Sequence, residues 1–422
     1  MKRIHIIISF LLVSFSLSAQ DTLTLEKCME MTVENSPRLK DRQQIDEAGR
    51  LTLENVKTSW YPELTLNGKL TYQSDVVSIS IDQPGLTLEF PEMPHQQYAV
   101  NLDVRQTLYD GGYSKQQKEY QQRLTAASLQ QIEVDMQSLR EQVSNLYFSI
   151  LLLQENRNTL EILLENLKAR EVTIESAVEN GVAEKSDLMI IQVEIMKILQ
   201  SLSELDAGRS GLLRMLAVYT GQELDMQMNL SVPFLEIPDA EMPARPELQW
   251  MDLQMDVLTQ GQELSAVKRM PKVFAYGQAG LGMPGYNMLN DQTDTYYMVG
   301  AGFQWKIWDW KETAREKQIL ETKKQVIEHS RETFLMNIKA GQQKELENMD
   351  HYSNALDLDA KMLAMRTEIS RTAASKVDNG VISATDYLQI LSEETQARVL
   401  QSTHKMQLIK AIANYNLLNG TL

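Results

Sequence analysis

A repeat at one fixed distance constrains this chain more than any other feature. Gly181 and Gly380 lie 199 positions apart, as do Asp187 and Asp386, Asp110 and Asp309, and Gly221 and Gly420. Four pairs at one offset mean that the chain is a duplication, and each half must build the same unit. Two of these pairs sit in matching stretches, Glu179-Asn180-Gly181-Val182-Ala183-Glu184-Lys185-Ser186-Asp187 and Asp378-Asn379-Gly380-Val381-Ile382-Ser383-Ala384-Thr385-Asp386. Asn-Gly supplies a residue that tolerates positive φ at a helix C-terminus. The following Ser186-Asp187 and Thr385-Asp386 are candidates to cap a returning helix.

What these stretches interrupt is very long. From Tyr113 to about Val178 there is no proline and no glycine, and a continuous helix of that span would measure about 100 Å. Its second half carries an apolar seam at 3-4 spacing: Leu139, Val143, Leu146, Ile150, Leu153, Leu160, Leu164, Leu167, Ile174 and Val178, broken by Arg157 and Glu171. After the Asn-Gly tip, Leu188, Ile191, Ile195, Ile198, Leu202, Leu205, Leu212, Leu216 and Tyr219 continue it, broken by Arg209. This period predicts an antiparallel helical hairpin with coiled-coil packing.

Ahead of each hairpin the period changes to two. Leu64, Leu66, Gly68, Leu70 and Tyr72 alternate with Thr65, Asn67, Lys69 and Thr71; Tyr98, Val100, Leu102 and Val104 alternate with Asn101, Asp103 and Arg105. These are strands, with Trp60, Tyr61, Tyr98 and Tyr109 at their ends. The second half repeats them over residues 272–282 and 296–307, the last alternating from Tyr297 through Phe303 and Trp305 to Ile307. Residues 73–97, with Pro84, Pro91 and Pro94, read as a surface loop. Helical segments precede the strands: residues 24–58, with a break at Asn35-Ser36-Pro37, and their counterpart from Pro246. Pro37 and Pro62 answer to Pro246 and Pro271 at an offset of 209, so the second loop is ten residues shorter. Trp308-Asp309-Trp310 stands where the first half has Tyr109-Asp110-Gly111.

The organisation expected is therefore a secretory signal at residues 1–19, a first repeat at 20–220 (strands about 62–72 and 98–108, hairpin about 113–220, tip 180–187), a connector at 221–245, and a second repeat at 246–422 (strands about 272–282 and 296–307, hairpin about 311–419, tip 379–386). The signal rests on Lys2-Arg3, the apolar run Ile4–Leu17 and the small-residue exit Ser16-Leu17-Ser18-Ala19; the run is too short for a spanning helix. Without Lys2 and Arg3 the chain has 39 basic and 57 acidic side chains, a net charge of −18, which repels nucleic acid. Cys28 is the only cysteine, which excludes an internal disulfide and a four-cysteine metal site; it follows Leu25-Glu26-Lys27 rather than a lipidation box and reads as a small apolar helix residue.

Strands of about ten residues with one apolar face and aromatic ends suit an outer-membrane barrel; a soluble half-buried sheet alternates in the same way. Four strands cannot close a membrane barrel, so a chain of this kind must associate: two copies give eight strands and three give twelve.

The order of these elements resembles the outer-membrane efflux family, the TolC-type exit ducts. The resemblance runs over essentially the whole exported chain. It is carried by Leu23-Thr24-Leu25-Glu26 with Glu34-Asn35-Ser36-Pro37-Arg38-Leu39, the Tyr109-Asp110-Gly111-Gly112 turn and the Asn-Gly-Val tips. It implies a mainly α homotrimer with a twelve-stranded barrel in outer-membrane lipid, continuous with a helical coiled-coil barrel in the periplasm. It also implies partnership with a periplasmic adaptor protein and an inner-membrane efflux transporter, with no cofactor. Asp386 matches the first of the family's constriction aspartates. The second falls on Gln389, so a single acidic ring is expected. Asp187 holds the equivalent place in the first tip, where the family keeps the tips closed, and the family's latch arginine falls on Ile382. Gly181, Val182, Gly380 and Val381 are the candidates for adaptor docking. Three carboxylates around a narrow axis repel one another and attract cations, so multivalent block is expected at Asp386.

Two other classes share parts of this pattern. For an enzyme, Gly280-Leu281-Gly282-Met283-Pro284-Gly285 fits a dinucleotide loop, but Pro284 and the polar stretch after it replace the helix that would hold a phosphate, and His95, His329, His351 and His404 are scattered. A periplasmic coiled-coil scaffold or adaptor shares the hairpins but has no use for the strands. Copper export is suggested by 22 methionines; most read as core or seam residues, Met215 and Met336 among them.

Overall fold

Two helices of 67 residues dominate the chain, one in each half, and each is answered by a returning helix of 36 residues. The computed structural model describes residues 23–77, 80–83, 85–89, 93–225, 227–238, 243–287 and 291–422. The secretory signal read at 1–19 lies outside these residues, as do Pro84 and Pro91. In chain order the elements are α1 (Leu25–Asn35), α2 (Pro37–Thr58), β1 (Glu63–Tyr72), β2 (Ser80–Gln83), β3 (Leu86–Glu89), β4 (Gln96–Tyr109), α3 (Tyr113–Glu179), α4 (Lys185–Thr220), α5 (Pro246–Val267), β5 (Lys272–Met283), β6 (Asp294–Gln304), α6 (Glu312–Asp378) and α7 (Ala384–Asn419). They divide between two compact units. Of the described residues, one holds 23–39, Asp135–Arg245 and Asn337–Leu422; the other holds Lys40–Val134 and Pro246–Met336.

The second of these units carries an antiparallel sheet in the order β1-β4-β5-β6. The register aligns the alternation of all four strands. Leu64, Val104, Gly277 and Val299 form one row and Leu66, Leu102, Ala279 and Tyr297 the next, while Thr65, Asp103, Gln278 and Met298 form a row on the opposite face. The first face is not covered: Leu70 is 80% exposed and Tyr297 81%. On the other face, the Asp103 carboxylate accepts from the side-chain amides of Asn101 and Gln278, each at 2.7 Å. Nearer the helices, Gly300 and Gly302 lie under the rings of Tyr276 and Phe274; a Cβ would stand 2.6 Å and 2.4 Å from them.

Two sequence expectations are corrected here. The loop at 73–97 contains a short β2-β3 hairpin, paired from Ser80↔Glu89 to Gln83↔Leu86. The fourth predicted strand ends at Gln304, not Ile307. Its neighbour β5 begins at Lys272, opposite Gln304, and the preceding Pro271 has no N–H to extend the ladder.

In the other unit, α1 packs into the helical hairpins. Leu25, Cys28, Val143, Tyr147, Ile150, Leu213 and Leu216 are fully or almost fully buried, each large aliphatic side chain contributing about 1.5–3 kcal/mol. The buried Tyr147 hydroxyl lies 2.8 Å from the Leu23 carbonyl and 2.6 Å from that of Ser231. The Gln154 side-chain amide pairs with the backbone of Leu230, accepting its N–H at 2.9 Å and donating to its carbonyl at 3.1 Å, as a strand would. Every seam residue read from the 3-4 spacing is buried or half-buried. The polar breaks in the seam are paired across the hairpin: Arg157 with Asp206 at 2.7 Å, and Glu171 with Gln192 at 3.0 Å. Arg209 donates to the Met228 carbonyl. Met215 and Met336, by contrast, are exposed. They flank the buried Leu216 and Ile338 on their helices and fill no gap within one chain.

Strand passes to long helix through the same turn in each half. Asp110 accepts from the N–H groups of Gly112 at 2.9 Å and Ser114 at 2.7 Å; Asp309 accepts from those of Lys311 at 3.0 Å and Thr313 at 3.1 Å. Burial pushes Asp110 up, but the donors from Ser114 and Gly112 outweigh it and hold the carboxyl below its usual range. Asp309 is held down at about 2, chiefly by the Thr313 hydroxyl and N–H.

Candidate functional site

Both hairpin tips are built on one helix-ending motif. Gly181 has φ +71 and Gly380 +68, and the next residues close the helix, Val182 N–H donating to the Ala177 carbonyl at 2.8 Å and Val381 N–H to that of Lys376 at 2.9 Å. This six-to-one bond with a left-handed residue is a Schellman cap. Nothing lies within 4 Å of a Cβ built on either glycine, so each is required by its φ, not by a neighbour. Val182 and Val381, one position beyond, are apolar and exposed.

The returning helices begin differently from the sequence expectation. The N-cap residues are Glu184 and Ser383, not Ser186 and Thr385, and the aspartates sit three residues further on. Asp386 and Ser383 form a capping box: the Asp386 N–H donates to the Ser383 hydroxyl at 3.1 Å and the Ser383 N–H to the Asp386 carboxylate at 3.3 Å. In the first tip the Glu184 N–H donates to Asp187 at 3.3 Å. A Ser or Thr directly before the aspartate is too close for this reciprocal geometry, which places the partner three positions after the cap.

Asp386 and Gln389 are both exposed and lie three residues apart, on one side of α7. The intervening Tyr387 is buried, with Leu391, in an apolar cluster that includes Leu167, Ile174, Ile191 and Ala373, and Ile382 packs against it. The tip cluster therefore joins residues of both hairpins, and the aspartate and glutamine face away from it.

One functional candidate was missed in the sequence. Arg170 of α3 forms an ion pair with Asp378, donates to the Ala374 carbonyl at 3.3 Å and lies 4.7 Å over the Tyr387 ring. Its signal was present: Leu167, Arg170 and Ile174 keep the 3-4 spacing, so this arginine stands on the seam side. Asp378 ends α6, where a negative charge opposes the helix dipole and a nearby cation offsets it. Among the described residues no helix is long and apolar enough to cross a membrane, and no group of three His, Cys, Asp or Glu could hold a metal ion.

A family model described as outer membrane efflux protein matches residues 29–221, the first repeat from α1 to the end of α4. Solved structures match over nearly the whole chain. The Neisseria gonorrhoeae MtrE outer membrane channel, in its open state, is 16% identical with a TM-score of 0.67, over 94% of this chain and 89% of that one. The Campylobacter jejuni CmeC outer membrane channel is 16% identical with a TM-score of 0.65, over 94% and 85%. The Vibrio cholerae outer membrane protein VceC is 12% identical with a TM-score of 0.66, over 94% and 97%. No curated protein matches the sequence. The chain thus shares the duplicated helical-hairpin fold of these outer-membrane channels. The chain is homologous to the outer membrane efflux proteins, in sequence across its first repeat and in fold across nearly its whole length.

Proposed function

We propose that this chain is the outer-membrane exit duct of a tripartite efflux or secretion system. Three copies form a twelve-stranded barrel above a periplasmic helical tunnel and passively conduct substrates delivered by an inner-membrane transporter through a periplasmic adaptor. The observation that carries this reading is the four-stranded sheet: it has one exposed apolar face, one polar face and two unpaired edges, β1 and β6. An open edge is untenable in lipid and a bare apolar face is untenable in water; a sheet that closes with other copies and turns this face to the bilayer satisfies both. Closure places the polar face, with Asp103, toward the lumen and Leu64, Leu66, Leu70 and Val299 toward the bilayer.

In this reading Asp386 forms the constriction ring at the periplasmic end, with Gln389 one turn above it, and caps α7 at the same time. Asp187 and Ile382 take part in closing the tips, and Gly181, Val182, Gly380 and Val381 present the surface the adaptor meets. The test is single-channel conductance of purified protein in planar bilayers, with and without a trivalent cation. A small, cation-selective, blockable current supports the duct. A species that never inserts and stays soluble in the periplasm would instead favour a coiled-coil scaffold.

A further inference from the structure

We infer that the turn after β6, from Trp305 to Arg315, is a phospholipid anchor, built on Trp310 and Lys311 where the first repeat has Gly111 and Gly112. The inference rests on the reading of the sheet as a barrel wall and adds to it a specific point of attachment.

The two repeats make the same turn with different residues. In the first, Gly111 and Gly112 take φ +70 and +84. Gly111 is pressed against its neighbour, since a Cβ there would stand 2.3 Å from the Met270 Cβ. In the second, the equivalent positions are Trp310 and Lys311, at φ 51 and 63, the only non-glycine residues with positive φ among the described residues. An L side chain in that region crowds its own backbone. The indole also stands in the open, with Trp310 78% exposed and Trp308 67% exposed, their rings edge-on at 5.8 Å. Two unfavourable features thus fall on one residue, although the first repeat shows that glycine makes this turn without strain. Strain of this kind persists where a side chain has work to do at that place.

Continuity and charge say what the indoles meet. Tyr297, Val299 and Phe303 on the exposed face of β6 lead directly into exposed Trp305 and Ile307 and then into the turn. Cations stand among these aromatic side chains. Lys306 pairs with Glu312 at 2.6 Å and Arg315 donates to the Trp310 carbonyl at 2.9 Å, while the Lys311 ammonium has no ion-pair partner among the described residues. Indoles at headgroup level beside a lysine free to reach phosphate match a bilayer interface, and anionic lipid strengthens the match. The occupant is the phospholipid leaflet at the end of the sheet where strands pass into helices. A second copy pairing with the open β6 edge is the competing occupant.

The experiment uses full chains with one tryptophan each, the others replaced by phenylalanine. The probes are Trp308, Trp310, Trp250 on α5, and a Tyr297→Trp variant lacking the native tryptophans. Each is reconstituted into phosphatidylethanolamine–phosphatidylglycerol vesicles with acyl chains brominated near the headgroup or near the bilayer centre. Trp308 and Trp310 are expected to lose most of their emission to shallow bromine, Trp250 none, and the Tyr297→Trp probe most of its emission to one of the two lipids. Full emission from Trp308 and Trp310 alongside a quenched Tyr297→Trp probe overturns the anchor and leaves the barrel standing, whether the turn is wet or covered by a second copy. An unquenched Tyr297→Trp probe overturns the barrel reading and the anchor with it. Should tryptophan-poor chains fail to fold, Trp310→Gly with Lys311→Gly restores the first-repeat turn in an otherwise unchanged chain. Its insertion into phosphatidylglycerol vesicles is expected to fall several-fold, and unchanged insertion overturns the anchor.

Discussion

Arg170 and Asp378, 208 positions apart, tie the two helical hairpins of one chain together just inside their tips. The arginine side chain is only 10% exposed, and the guanidinium also meets the Ala374 carbonyl and the Tyr387 ring, so its plane is held on three sides. Arginine suits this role because its fork donates in plane while its face stacks. The link spans the two repeats, and its loss frees one hairpin to move against the other.

Arg170→Ala is expected to destabilise the tip by about 1.5–3 kcal/mol, the usual worth of hydrogen bonds to a charged group. Single-channel conductance should rise if Asp386 and Gln389 form the proposed constriction, because α7 is no longer held to α3. Arg170→Lys should recover only part of the closure, since it keeps the charge and loses the fork. Wild-type conductance in both variants would show that the link is not part of the gate.

Asp386→Asn and Asp386→Ala separate charge from capping. Asparagine can still accept from the Ser383 N–H, so trivalent block should disappear while the fold is retained. Alanine removes the box as well and should cost about 1 kcal/mol at the start of α7. Block that survives in the asparagine variant would remove Asp386 from the constriction.

Cys28 should resist alkylation in the folded protein. Burial, with a smaller contribution from Glu26, pushes its thiol up to about 12, so almost no thiolate exists at neutral pH. Because the folded value lies above the ordinary 9.0, its contribution to stability is complete below pH 9 and is lost as pH rises toward 12. Maleimide labelling at pH 8 should appear only with unfolding, and rapid labelling of the native protein would contradict the burial.

Asp309 predicts the opposite pH behaviour. Its folded value near 2 lies below the ordinary 3.8, so its contribution is present above about pH 4 and is lost as pH falls toward 2. Thr313→Val removes the hydroxyl donor and should shift that loss to higher pH. Thermal scans from pH 5 to 2 on the wild type, Thr313→Val and Asp309→Asn would show it, with the asparagine variant lacking this component.

The parts of the molecule that depend on neighbours in sequence could be read from the sequence alone. A 199-residue offset, a 3-4 seam, an alternation of two and an Asn-Gly pair each state a local backbone geometry, and those signals located the hairpins, the strands and the tips. They run out where a residue's role depends on something far away in the chain. The hydrogen-bonded register joining β4 to β5 unites the two repeats in one sheet, and no periodicity within either strand specifies it. Arg170 carries a charge at a seam position, but its partner is on another hairpin. Ser383 caps α7 because folding sets the helix start one residue after it, and Trp310 takes a left-handed φ because Asp309 and the strand before it dictate the turn. Local pattern selects the elements through backbone preference and burial on one face; pairing, register and strain follow from which distant surfaces meet, and that is settled only when the chain has packed.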